Sequence, residues 1–218
     1  ANAVADLAGN LLTTPASNTQ AYSITPPNAP SINIVAMDDI INSTEQSAVI
    51  SGTNQAGATV NLSLGGNTRA ATVSGTSWSY TLTAADITAM GQGAETLSAT
   101  QTDAVGTTSA AGTRAITIDT LAPQAPVVAI ITTNNTSPTI TGTATLSAGE
   151  SLSVTVNGAT YNNVTVNSGS WSIDTSSLTP STGTLGAFVN GTSYNVTAIA
   201  KDAAGNTTSD ATFGELTI

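Results

Sequence analysis

Apolar residues alternate with small polar ones along most of this chain. The segments "TVNLSLGG", "TRAITID", "SLSVTVNG" and "SYNVTAIA" put Val, Leu, Ile or Ala at every second position, with Thr, Ser or Asn between them. A period of two lines one face of a strand with apolar side chains, so each segment predicts a half-buried strand. Val, Ile and Thr dominate, and their β-branching suits a pleated surface. Gly65-Gly66-Asn67 and Asn157-Gly158 supply the positive-φ residues that hairpins need. One stretch departs from the pattern: "TAADITAM", residues 83–90, predicts a short helix with Thr83 as N-cap and Asp86 closing a capping box.

The strand pattern repeats on a larger scale. "VISGTNQAGATVNLSLGG" (49–66) matches "TITGTATLSAGESLSVTVNG" (139–158), and "SGTSWSYTL" (74–82) matches "NSGSWSIDT" (167–175), which makes Trp78 and Trp171 equivalent. A Pro-rich joint recurs as "TPPNAPSINI" and "LAPQAPVVAI". A turn headed by aspartate recurs three times, at Asp6, Asp103 and Asp202, spaced by 97 and 99 residues. These landmarks divide the chain into two full units, 29–119 and 124–218, joined by a linker at 120–123. Residues 1–28 read as the last strands of a preceding unit and its linker. Seven or so short strands in about 95 residues predict an all-β fold of tandem immunoglobulin-like β-sandwich domains. With no cysteine in the chain, Trp78 and Trp171 are expected to plug the two cores without a disulfide.

Composition removes whole classes of chemistry. The absence of Cys and His excludes Cys/His nucleophiles, Ser-His-Asp triads and metal sites built on nitrogen or sulfur. Thirteen carboxylates with many Asn side chains form a hard-cation inventory instead. Arg69, Arg114 and Lys201 are the three basic residues, too few to neutralise a run of phosphates, so nucleic acid is not expected as a partner. A net charge of −10 disfavours an anionic membrane surface, and no apolar run approaches a membrane span, so no membrane insertion is expected. An enzyme is not expected either. A glycosidase, for example, needs two carboxylates facing across a cleft, whereas these fall in turns and joints. A carbohydrate- or protein-binding module is the alternative, though Tyr22, Tyr80, Tyr161 and Tyr194 are spread along strands rather than clustered.

Three features carry a family resemblance: the Asp-Asp loop in "INIVAMDDIINSTEQ", the Asp-x-x-Gly turns, and the Asp-x-x-Ala-Pro joint "DTLAP". Together they resemble the bacterial Ig-like repeats of giant biofilm-associated and RTX-type surface adhesins, over almost the whole chain. The resemblance implies an extender segment of a cell-adhesion protein on the bacterial surface. It further implies neighbouring repeats as partners, a distal ligand bound elsewhere in the protein, and Ca²⁺ at domain junctions. Sandwich topology gives that last expectation residues. The loop after the first strand lies at the C-terminal pole of a unit, and the turn before the last strand at its N-terminal pole. Asp38, Asp39, Asn42, Glu45 and Asp119 of the first unit should therefore face Asp202 of the second. Asp38, Asp39, Glu45, Asp119 and Asp202 are the expected Ca²⁺ ligands, since so many neighbouring carboxylates would otherwise repel one another. A plainer reading stays open for each: an aspartate heading a turn caps it, and Glu45 follows a capping residue, Ser43.

Overall fold

A computed structural model of the protein describes residues 25–218, so the reading of residues 1–28 as part of a preceding unit lies almost wholly outside the described residues. The chain forms two successive all-β units, each a pair of facing layers closed on its own apolar core. The alternation seen in the sequence is realised directly: in Thr59–Leu64 every second residue, Val60, Leu62 and Leu64, is buried. The same holds in Ser151–Val156, where Leu152, Val154 and Val156 point inward.

In the first unit a five-stranded sheet runs in the order Ile40–Ile41, Gly112–Ile118, Gly93–Thr102, Thr59–Leu64, Asn67–Ala70. It faces a three-stranded sheet of Val49–Thr53, Ser77–Thr81 and Thr72–Ser74. Between them Ile41, Ile50, Leu62, Leu64, Leu97 and Ile118 are buried together with Trp78. The second unit encloses Ile140, Leu152, Val154, Trp171, Ile173 and Leu216 in the same manner. Burying one such side chain stabilises a domain by about 1.5–3 kcal/mol, which lets each core hold without a disulfide.

Both tryptophans sit opposite a glycine on the neighbouring strand: Gly52 pairs with Trp78 and Gly142 with Trp171. A Cβ on Gly52 would come within 1.8 Å of the Ser31 carbonyl oxygen and 2.8 Å of the Trp78 ring. One on Gly142 would lie 2.1 Å from the Val127 oxygen and 2.3 Å from the Trp171 ring. The shared "GT" of the two strands is thus the space into which each indole lies.

The first strand of each unit changes sheets, and the two units make the change differently. In the first, Ser31 and Asn33 donate backbone hydrogen bonds to Thr53 and Ser51 of one sheet. The chain then kinks and Ile40–Ile41 runs parallel to Gly112–Ile118 in the other sheet. The kink holds Ala36, Met37 and Asp39 at φ of 50°, 71° and 64°, the left-handed region. In the second unit Val127–Val128 pairs with Thr139–Thr143, and only Ala129 and Ile130 intervene before Ile131–Thr132 joins Leu216–Thr217.

The predicted helix is present as Ala84–Met90, with Thr83 as N-cap and a complete capping box to Asp86. It has no counterpart in the second unit. Among the described residues no helix is long and apolar enough to cross a membrane.

The joint between the two units as the candidate functional site

The loop after Ile40–Ile41 and the turn after Val196–Lys201 meet, so the C-terminal pole of the first unit touches the N-terminal pole of the second. Three hydrogen bonds cross the joint. The Ser43 N–H donates to Asn206 Oδ1 at 2.7 Å, Asn206 Nδ2 donates to the Asp119 carbonyl at 2.8 Å, and Asn42 Nδ2 donates to the Ala204 carbonyl at 3.2 Å. Asn206 is 2% exposed, unusual for an amide and consistent with its polar atoms all being engaged.

Local structure sets up each side. On the first unit, Asn42 Oδ1 accepts from the Thr44 N–H and hydroxyl, and the Glu45 carboxylate accepts from the Asn42 N–H at 3.3 Å. This turn points the Ser43 N–H outward. On the second unit, Asp202 Oδ1 accepts from the Asn206 N–H and Oδ2 from Asn206 Nδ2, both at 2.8 Å. Gly205, at φ 96°, completes that turn, and a Cβ there would come 3.7 Å from Asn42 Nδ2.

The five residues expected as Ca²⁺ ligands are distributed otherwise than the sequence suggested. Asp39 lies in the sheet-changing kink, where both of its oxygens accept from the Arg114 guanidinium and Oδ1 also accepts from the Val35 N–H. The Arg114 hydrogen bond holds the Asp39 carboxyl below its ordinary pKa. Asp38 Oδ1 accepts from the Ile40 N–H within the same kink. Asp202 has both oxygens engaged by Asn206. Among the described residues no hydrogen bond reaches the second oxygen of Glu45, the second oxygen of Asp38 or the Asp119 carboxylate. Among the described residues no three carboxylates gather into a group able to hold an ion.

Asn206 is not among the residues that the sequence singles out. Its signal lay in comparing the fourth position after each turn aspartate: Asn10, Thr107 and Asn206. Asp86 also proves more than a capping residue. It is wholly buried, where its carboxylate also binds Arg69 Nε at 2.7 Å and the Tyr80 hydroxyl at 2.8 Å. Burial pushes the Asp86 carboxyl up, but hydrogen bonds from Thr83, Tyr80 and Arg69 outweigh it and hold the pKa at about 2.

No family model and no curated protein matches the chain. Among solved structures it is similar to a 1.5-MDa bacterial ice-binding adhesin, at 23% identity over 89% of this chain and 66% of that one, with a TM-score of 0.45. It is also similar to a Ca²⁺-stabilized adhesin with which an Antarctic bacterium binds ice (25% identity, 98% of this chain, 55% of that one, TM-score 0.47). A third is a tetra-tandem repeat in the extending region of a large adhesion protein (23%, 84% and 47%, TM-score 0.32). The chain thus spans about half to two thirds of the length of these structures.

Proposed function

We propose that this chain is an extender segment of a bacterial cell-surface adhesin, a stretch of rod that holds a distal binding module away from the cell. The observation that carries the reading is the joint: two β-sandwich units in tandem, hydrogen-bonded pole to pole through Asn206. A linker that only tethered two independent domains would leave those groups to water. The carboxylates fit a structural role as well. Asp39 and Asp86 are ion-paired, and Asp174 and Asp210 cap turns at Ser176 and Thr212. The net charge of −10 and the Thr- and Ser-rich strands suit a soluble surface rod that resists pairing with its neighbours.

Calcium enters as an addition to this hydrogen-bonded joint. The Asp119 carboxylate and the second oxygens of Asp38 and Glu45, which no hydrogen bond reaches among the described residues, are carboxylate oxygens the first unit can offer a cation, and water would complete its coordination. Small-angle scattering of the full chain through a calcium titration tests both parts. Two units tumbling independently at every calcium concentration would overturn the rod. Identical profiles of a stiff chain in calcium and in chelator would remove the ion and leave the rod.

A further inference from the structure

We infer that Asn206 is a metal-independent latch that sets the angle between the two units, and that the residue at this position decides how a unit docks on the one before it. The inference rests on the extender reading and gives that joint its determinant.

The side-chain amide of Asn206 makes three hydrogen bonds that only one orientation satisfies. Its oxygen faces a donor, the Ser43 N–H. Its nitrogen faces two acceptors, the Asp119 carbonyl and the Asp202 carboxylate. Flipping the amide would set N–H against N–H on one side and oxygen against two oxygens on the other, so the network fixes its orientation. One group on the second unit therefore reads two backbone groups of the first, a donor in the loop and an acceptor at the end of the last strand. Those groups are about as far apart as one amide can span. A change of angle between the units breaks at least one bond and leaves a buried polar group unpaired, which costs more than the bond contributed.

The first unit supplies an internal control. Its turn carries Thr107 where the second carries Asn206, and the Thr107 N–H still donates to Asp103 Oδ1 at 2.8 Å, as the Asn206 N–H does to Asp202. The turn is thus built through the backbone N–H, whatever the side chain. The side chain at this position is free to serve the joint. A threonine hydroxyl has a single hydrogen to donate, so it cannot serve two acceptors at once as Asn206 Nδ2 does.

Asn206→Thr should therefore preserve the turn and release the joint. The test uses the full chain in chelator, with residual dipolar couplings to compare the orientation of the two units and amide exchange to follow the Ser43 N–H. The expected result is one common alignment tensor in the wild type and two different ones in Asn206→Thr. Exchange at Ser43 should speed up about tenfold, the equivalent of one lost hydrogen bond, with the core amides of both units unchanged. Thr107→Asn should leave the joint as it is. A wild type already uncoupled in chelator but coupled in calcium would overturn the latch while leaving the rod. Separate tensors in both conditions would overturn the rod too. A common tensor in Asn206→Thr would overturn the latch alone.

Discussion

At the turn of the first unit the Asp103 N–H donates to the Thr107 carbonyl at 3.0 Å, and at that of the second the Asp202 N–H donates to the Asn206 carbonyl at 3.1 Å. In each, the glycine three residues on returns its N–H to the aspartate carbonyl, and the fourth residue returns its N–H to the carboxylate. The backbones are alike, and among the described residues it is the second turn whose side chain reaches another unit. The recurring aspartate makes the turn in both units; the side chain four residues on, which differs between them, makes the contact in the second. Between these two units, shared positions therefore mark what each needs to fold, and positions where they differ mark what one of them does alone. The sheet-changing kinks teach the same. Only the first unit has Asp38 and Asp39, and it also carries Arg114, which pairs with Asp39.

The largest effects should come where the two units agree. Gly52→Ala and Gly142→Ala each drive a methyl group into backbone and indole, so each should destabilise its own unit by about 3 kcal/mol or more. Denaturant unfolding followed through resonances of each unit measures this. A large loss in one unit beside a negligible one in the other would break the claim that shared positions are fold positions.

Acid should then separate the units, because the buried Asp86 belongs only to the first. Its folded pKa of about 2 lies below the ordinary 3.8. A depressed carboxyl pKa stabilises fully above the unfolded value and loses its contribution as pH falls through the folded one. The first unit should lose about 2 kcal/mol between about pH 4 and pH 2, from a shift of nearly two units at 1.36 kcal/mol each. Asp39, lowered by its hydrogen bond with Arg114, adds in the same direction. Asp86→Asn should flatten the first unit's acid limb. An unchanged limb in that variant would show that the steepness arises elsewhere.

What could be read from sequence was local in kind. Strand alternation, the turn glycines, the capping box at Thr83 and Asp86, and the burial of Trp78 and Trp171 each depend on residues close in sequence or on a repeated motif. Topology also placed the loop at Asn42 opposite the turn at Asp202. The contacts that reassign Asp39 are of another kind: Arg114 lies 75 residues away, and no periodicity pairs them. Likewise nothing local indicates that Arg69 and Tyr80 converge on Asp86. Asn206 was hidden because its backbone role in the turn gives its presence a sufficient explanation, while its side-chain partners lie 163 and 87 residues distant. Acidic residues clustered in a loop suggested a cation. For Asp39 the fold supplies a cation of its own, the Arg114 guanidinium.

The smallest effect discriminates most finely between the two turns. Asp103→Asn and Asp202→Asn remove one charge each and keep a side-chain oxygen for the turn. Asp103 uses Oδ1 for both the Val105 and Thr107 N–H groups, and among the described residues nothing donates to its Oδ2. An amide nitrogen there meets water, so the change should stay within about 0.5 kcal/mol. Asp202 uses Oδ1 for the Asn206 N–H and Oδ2 for Asn206 Nδ2, so an amide nitrogen there faces another donor. One hydrogen bond is lost beside a buried group, and the second unit should lose about 1 kcal/mol. This difference should persist in chelator, since it arises from the latch. If it vanished in chelator and returned with calcium, Asp202 would be acting as a ligand instead. Thermal unfolding of both variants with and without calcium separates the two causes.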